Sequence, residues 1–534
     1  MSTLRVDALS STDNARLVLV KNLLSDESDV PSSIVHMPSP DSRTLAEWSS
    51  DFNSVKKWVK GDGVTDDTAA FQEALNSGAS QLHIPAGTNI YLSAPVTLPA
   101  GSFTLSGEGT SSVITGPAST LIKFAATPES GYPVTEIYGV KFAPSSTDAV
   151  HIDMTSLWSP AGKPPHIVRD CYFQFKGTGQ IGIRLSGVWA ARITDNTFMG
   201  AGALDAKTGN TGYGIKTLHN DDMNSSVMNV QILNNTFTVL SYPIVLSPRT
   251  ISTGGRCEGI KIVGNNIVNG TSALTATQAL ALSVTGNQLS DFINTIVLTG
   301  CFDFAITGNS EITGDNNCIY LNSMSDSFLE RGSITGNTIN TQKSNAVSVR
   351  ISNVTGDYYI RNLTIANNDL RGNGSSSDTS YGIFAAGSYA ITNVVVNGNN
   401  FIDHNFGVYF GGDDEFGANK DWDISGNGFS LYSGGIAVRF PERISPRIYY
   451  RHSATNTFTA SASQSTVSID VSGAGFLEVP VYASAYLTTQ AGVRLVYSFD
   501  TSTATNLSFN VVGTISAGST RYVLDAVGES PYGY

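Results

Sequence analysis

The amino-acid sequence predicts an all-β protein built as a parallel solenoid. Three observations lead there: an asparagine-centred motif recurs along most of the chain, a short alternating motif falls between its copies, and the intervals between copies are uneven.

The first motif is an apolar residue, two residues often ending in Gly or Asn, then Asn, any residue and another apolar one. It reads ITDNTF (193–198), ILNNTF (232–237), IVGNNI (262–267), VTGNQL (284–289), ITGNTI (334–339), IANNDL (365–370), VNGNNF (396–401) and ISGNGF (424–429). ITGNSE (306–311) fits except that its last apolar residue, Ile312, comes one place late. VRDCYF (168–173) and IYGVKF (137–142) carry Cys171 and Val140 at the central position. Central residues therefore fall at 171, 196, 235, 265, 287, 309, 337, 368, 399 and 427, at intervals from 22 to 39 residues.

The second motif is a small or polar residue followed by apolar-x-apolar. Examples are GIRL (182–185), GIKT (214–217), PIVL (243–246), TIVL (295–298), CIYL (318–321), AVSV (346–349), GIFA (382–385), GVYF (407–410) and GIAV (435–438). Each is a short strand of period two. A fixed order of strands with variable spacing means that stacking keeps the register while loops absorb length. No coil can bury its inward side chains alone, so stacked coils share one core. The Asn fits a corner, where it tolerates a left-handed turn and can hydrogen-bond to its counterparts along the axis.

Bulk properties agree. The chain has 534 residues, only 14% of them charged, and 52 glycines, which suits many turns. A net charge of −13 argues against a nucleic-acid partner. No apolar run is long enough to cross a membrane, so no membrane insertion is expected, and the polar start MSTLRVDALSS lacks a signal-peptide core. Cys171, Cys257, Cys301 and Cys318 lack metal-ligand spacing and read as reduced, buried thiols. His151, His166, His219, His404 and His452 form no zinc pattern, and no metal or other cofactor is expected. His219, beside Asp221 and Asp222, is the one histidine in an acidic cluster.

Residues 54–116 add a more specific signal. SVKKWVKGDGVTDDTAAFQEALNSG is followed by QLHIPAG, NIYLSAPVTLPAG and FTLSGEG. The block predicts a helix over about 66–77, with Asp66 or Asp67 at its N-cap, Phe71, Ala74 and Leu75 inward, and Gly78 as its stop. In order and spacing it resembles the start of the pectate-lyase-like right-handed β-helix superfamily, and bacteriophage tailspikes in particular. The resemblance implies that the helix caps the open end of the solenoid, and that Asp62, Asp66 and Asp67 serve turns rather than catalysis. Polygalacturonases of that superfamily pair Asp-Asp with Gly-His-Gly and Arg-Ile-Lys. This chain has Asp221–Asp222 and Asp413–Asp414 but neither other motif, so pectin hydrolysis is not expected.

The tailspike plan assigns 1–52 to virion attachment through a phage tail or adaptor protein, and 53–445 to the glycan-binding solenoid. Residues 446–534, with TVSIDVSG, FLEVPVYASAYL, VRLVYSFD, LSFNVVG and RYVLDAV, become an antiparallel β-sandwich. The resemblance further implies a homotrimer carried on the virion, made in the host cytoplasm and acting at the bacterial surface. Its partner would be a bacterial surface polysaccharide, bound and cut.

Outward positions of the second motif then carry the binding candidates. The central x gives Arg184, Lys216, Val245, Val297, Tyr320, Ser348, Phe384, Tyr409 and Ala437; one residue past the motif lie Asn322, Arg350 and Arg439. Tyr320, Asn322, Arg350, Phe384, Tyr409 and Arg439 would stack on sugar faces and hydrogen-bond to hydroxyls or carboxylates. The same strip could equally be a plain solvent face or a subunit contact. Glycosidic hydrolysis needs two carboxylates. Five residues past Leu298 and Leu321 lie Asp303 and Asp326, expected to neighbour one another on successive coils with one pKa raised. Glu330 follows Asp326 closely, and Glu415, beside Asp413 and Asp414, occupies the same column position. A lyase would instead need an Arg near a uronate, for which Arg350 or Arg439 could serve. A receptor-binding spike without catalysis is the third reading.

Overall fold

The computed structural model describes residues 53–125, 134–157, 166–203, 207–218, 226–247, 257–323, 327–353, 359–374, 379–387, 391–411, 420–432 and 435–439; beyond these it describes Ser502 and six strands from residue 448 on. At 420, 421 and 439, and in the six later strands, the backbone alone is described. The expected attachment segment 1–52 lies outside the described residues.

The described solenoid pairs in parallel from coil to coil. Each typical coil contributes to three sheets. Strands such as Thr236–Thr238, Thr338–Thr341 and Asn400–Ile402 form the first. Tyr242–Leu246, Val347–Asn353 and Phe406–Gly411 belong to the second. Val227–Leu233, Leu329–Thr335 and Ile391–Asn397 belong to the third. The asparagine motif spans the corner between third and first sheets. Ile232 and Ile262 pair on one side of it, Phe237 and Ile267 on the other. Inward side chains from Val55 to Val438 form one continuous core.

The corner asparagines form an unbroken ladder. Asn196 Nδ2 donates to Asn235 Oδ1 at 2.9 Å, and the pattern repeats through Asn265, Asn287, Asn309, Asn337, Asn368 and Asn399 to Asn427. Each backbone N–H donates to the same oxygen, for example Asn287 N to Asn309 Oδ1 at 2.9 Å. The second amide hydrogen goes to a carbonyl of the preceding coil, as from Asn287 to Ile262 at 2.9 Å. So every amide group of the interior ladder is satisfied although the residues are buried. The expected left-handed turn belongs to a different residue. The residue just before each ladder Asn has positive φ: Asp195, Asn234, Gly264, Gly286, Gly308, Gly336, Asn367, Gly398 and Gly426. The ladder Asn itself faces inward, and its side chain, not its backbone freedom, explains its recurrence.

Aromatic stacking sets a second repeat. Phe142, Phe173, Phe198 and Phe237 stack inward on the first sheet with centroids 5.2, 4.5 and 4.5 Å apart. Phe401 and Phe429 repeat this at 4.9 Å. Against Phe198, Phe237, Phe401 and Phe429, the second-sheet strand of the preceding coil has glycine near its start. A Cβ on Gly214 would lie 2.8 Å from Phe237, on Gly382 2.4 Å from Phe401, and on Gly407 2.4 Å from Phe429. Leu289 and Ile312, aliphatic at the ring position, have Ala273 and Thr295 on the preceding coil instead.

The helix is Thr68–Leu75, with Phe71, Ala74 and Leu75 buried as predicted and Gly78 at φ 82°. It lies over the first coil, where Gln72 exchanges hydrogen bonds with both backbone groups of Thr97. Asp66 accepts from Thr68 N at 3.0 Å, whereas Asp67 turns back and accepts from Lys60 N and Gly61 N. Asp62 accepts from Val64 N and Thr65 N. All three acids are occupied by local backbone. The four cysteines are buried thiols, and burial pushes each up to about 12.

One side-chain tie crosses several coils. Lys207 Nζ lies 2.6 Å from Asp315 Oδ1 and also bonds Gln342. It reaches from the coil of Asn196 to that of Asn309, past those of Asn235, Asn265 and Asn287.

After the last coil, Ile448–Ala460 pairs in parallel with Lys420–Ser425 and antiparallel with Gly518–Glu529. The antiparallel sheet continues from Gly518–Glu529 to Tyr482–Leu487, Arg494–Ser498, Asn506–Val512 and Thr466–Asp470. The long first strand, Ile448–Ala460, is missed by the sequence pattern because its length and pairing follow neither motif.

Candidate functional site

The second sheet turns a strip of large side chains outward over the later coils. Its register runs Val297, Tyr320, Arg350, Phe384, Tyr409, Arg439. This corrects the sequence alignment at two coils. Ser348 and Ala437, expected to face outward, are buried, at 0% and 1% exposure. The true outward positions are Arg350 and Arg439, two residues further on. The slip arises because AVSV and SVRI both satisfy apolar-x-apolar, and only pairing chooses between them. The coil at Leu274–Thr277, which the motif search passes over, places Thr275 in the same column.

A neighbouring column adds two rings that the sequence reading missed, Tyr381 and Phe406. Their strand register joins Val347, Tyr381 and Phe406. A ring one residue before the small residue, in YGIF and FGVY, is the signal that would have found them. Tyr381 stacks on Phe406 with centroids 5.4 Å apart, and Phe384 on Tyr409 at the same distance. Tyr381 meets Phe384 and Tyr409 edge-on, each at 5.0 Å. Strands roughly 4.8 Å apart bring like positions to stacking distance, so two coils build a four-ring platform.

Arg350 borders that platform. Its guanidinium carbon lies 5.5 Å from the Tyr320 ring centroid and 5.4 Å from that of Phe384. Its Nε is buried and has no hydrogen-bond partner among the described residues. Asn322 Oδ1, two residues past Tyr320, is likewise buried and unpartnered among them. Arg184 pairs with Asp153, Arg169 with Glu136, Arg361 with Glu330 and Arg371 with Asp369. Arg192 donates to Gln231, and the described contacts of the Arg350 guanidinium are the two rings. Arg439 continues the column, but its side chain lies outside the described residues.

The carboxylates lie where the second sheet hands over to the third. There the sequence expectation fails in register: Phe302 pairs with Glu330, so Asp303 is stacked on Arg331, not on Asp326. The connection between the coils is longer in the later one, and a fixed count from Leu321 misses the neighbour. The Asp303 carboxylate is gripped by Arg331 through Nε at 2.5 Å and an Nη at 2.9 Å. That guanidinium holds its pKa below the ordinary range, the reverse of the expected rise. Glu330 is buried and spends one oxygen on Arg331 and the other on Arg361, at 2.6 Å for the latter. Arg361 also covers the Phe328 ring, which stacks on Tyr359. Asp326 and Glu415 lie outside the described residues, as do Asp413, Asp414, His219, Asp221 and Asp222. In the sequence, Asp326 falls between the strands Glu311–Asn322 and Leu329–Thr335, and Glu415 between Phe406–Gly411 and Lys420–Ser425.

No protein-family profile matches the chain, and no curated protein matches it in sequence. Solved structures do match in fold. A mutant tailspike of E. coli bacteriophage HK620, in complex with a pentasaccharide, superposes with a TM-score of 0.57 at 13% identity, over 92% of this chain and 96% of that one. The gp54 tailspike of Acinetobacter baumannii bacteriophage AP22, in complex with an A. baumannii capsular saccharide, gives 0.52 at 9% identity over 94% and 100%. The gp49 tailspike of Pseudomonas phage LKA1 gives 0.51 at 11% identity over 90% and 100%. The chain therefore has the parallel β-solenoid fold seen in phage tailspikes.

Proposed function

We propose that this protein is a phage tailspike that binds a bacterial surface polysaccharide and depolymerises it by endo-glycosidic hydrolysis. The observation that carries the reading is the outward strip of Tyr320, Arg350, Phe384 and Tyr409 with Tyr381 and Phe406: continuous ring faces bordered by a fork of donors. A long glycan needs such a surface, because sugar C–H faces stack on rings while hydroxyls take directed hydrogen bonds. In this reading 1–52 joins the virion, residues 446–534 form a β-sandwich that trimerises the spike or binds carbohydrate, and three chains stand together at the cell surface.

The chemistry follows from the carboxylates. Asp303, held ionised by Arg331, suits a base or nucleophile and not a proton donor. Glu330, locked between two arginines, suits the orientation of those arginines. The proton donor then comes from Asp326 or Glu415. The test is to incubate the protein with purified capsules and O-antigens and to measure new reducing ends. Release of reducing ends, lost in Asp303→Asn and in one of Asp326→Asn and Glu415→Gln, supports hydrolysis. Ultraviolet absorbance from an unsaturated uronate would replace hydrolysis with a lyase. Binding with neither product would leave a receptor-binding spike.

A further inference from the structure

Arg350 differs from every described arginine but Arg192, which donates to Gln231, in lacking a carboxylate, and from all of them in its orphaned donor. It has no carboxylate partner among the described residues, and its Nε is buried without a hydrogen bond. A guanidinium donor withdrawn from water and left unmade is costly. Ring faces at 5.4 and 5.5 Å stabilise its charge but accept none of its N–H bonds in plane. Tyr320 and Phe384, one coil below and one above, hold the fork in a set plane. Asn322 Oδ1 is the complementary orphan, an acceptor lacking a donor. It sits one coil before Arg350 and two residues further along its strand, because Tyr320 pairs with Arg350 and Asn322 with Ser352. The two orphans are thus about 8 Å apart at the backbone, from one strand spacing and two residues of rise.

We propose that Arg350 and Asn322 form a subsite for an acidic sugar, so that the polysaccharide is carboxylated. The sugar carboxylate takes the guanidinium fork of Arg350, a ring hydroxyl or acetamido N–H donates to Asn322 Oδ1, and the adjoining residues lie on the Phe384–Tyr409 and Tyr381–Phe406 platform. The inference rests on the glycan-binding reading above and narrows it. The global charge strengthens the argument. At a net charge of −13 the chain repels an anionic polymer, so an anion is held only where a local, partly desolvated cation outweighs the overall field. Planar, paired recognition of a carboxylate is also what a guanidinium does and an ammonium does not.

The experiment is an array of purified bacterial capsules and O-antigens, acidic and neutral, with each acidic one also in carboxyl-reduced form, probed with the full-length protein. Binding to an acidic polysaccharide that falls about tenfold or more on carboxyl reduction is expected, since one charge-assisted fork is lost. The same loss is expected for Arg350→Lys and Arg350→Met at unchanged melting temperature, with weaker binding at high salt. Equal binding to the reduced polymer overturns the acidic subsite while the glycan reading stands, and it does so on the unmodified protein. Binding to neutral polymers alone does the same. No binding to any polymer removes the glycan reading itself. Dissociation of the assembled protein by Arg350→Met, with binding intact, would make the face a contact between copies of the chain and overturn the subsite.

Discussion

Asp303 and Arg331 stand on successive coils at equivalent positions, joined by two hydrogen bonds of 2.5 and 2.9 Å. Both have positive φ, 51° and 55°, so the backbone makes the same left-handed turn on each coil. Asp303→Asn is expected to lower reducing-end release at least about a hundredfold, the usual scale for a lost base. Folding is expected to change little, because both side chains are about half exposed. The sign for pH is set by the lowered carboxyl. The stability from this pair is present above the ordinary carboxylate range and declines as pH falls through the lower folded value. Melting curves of the wild type and Asp303→Asn should therefore converge in acid.

The ladder predicts a position-dependent cost. Asn287→Ala removes an amide whose oxygen accepts from Asn265 and whose nitrogen donates to Asn309 and Ile262. It leaves buried groups of Asn265 and Ile262 unpaired on the preceding coil, while Asn309 keeps the backbone N–H of residue 287, and about 1–3 kcal/mol is expected. Asn427→Ala, at the ladder's end, removes an amide that accepts twice from Asn399 but donates only to Val396, and should cost somewhat less. Denaturant midpoints at constant slope measure both.

The glycine-for-ring exchange predicts coupling. Gly382→Ala drives a methyl to within 2.4 Å of Phe401. It should destabilise by about 1–3 kcal/mol, and by less in a Phe401→Leu background. Equal costs in the two backgrounds would show that the ring does not dictate the glycine. A double-mutant cycle on thermal or denaturant unfolding gives the answer.

His151 predicts acid sensitivity. It is fully buried, tilted against Phe175 at 4.7 Å, and neither ring nitrogen has a partner among the described residues. Burial pushes its pKa down to about 3. A folded value below the unfolded one means that its stability is intact above about pH 6.5 and is lost as pH falls toward 3. His404, also pushed down to about 3 by burial, acts in the same sense. His151→Leu should flatten the fall in unfolding midpoint between pH 6.5 and 4. An unchanged slope would assign the acid loss elsewhere.

The solenoid was legible because its rule is local. Each corner spells its own six residues, and the ladder from Asn196 to Asn427 needs only that each coil repeat it. The site was partly legible for the same reason. Tyr320, Phe384 and Tyr409 share a column because the strand motif names their place. Legibility failed where pairing, not spelling, fixes the register. Val347 and Val349 both fit the pattern, and only the pairing of Tyr320 with Arg350 decides. It failed again across the second-to-third connections, whose lengths vary, so that Asp303 met Arg331 rather than Asp326. Partners such as Arg331 and Arg361 carry no motif at all, since an ion pair between coils leaves no trace in either segment alone.

The tie from Lys207 to Asp315 has a consequence for how the shaft comes apart. A linear array bound only through nearest neighbours frays from its tips, one turn at a time. A half-buried ammonium–carboxylate clasp spanning the coils from Asn196 to Asn309 converts that stretch into a single block. Peeling the coil of Asn235 then strains contacts far along the rod, so hydrogen exchange across this block should share one opening free energy and not a gradient.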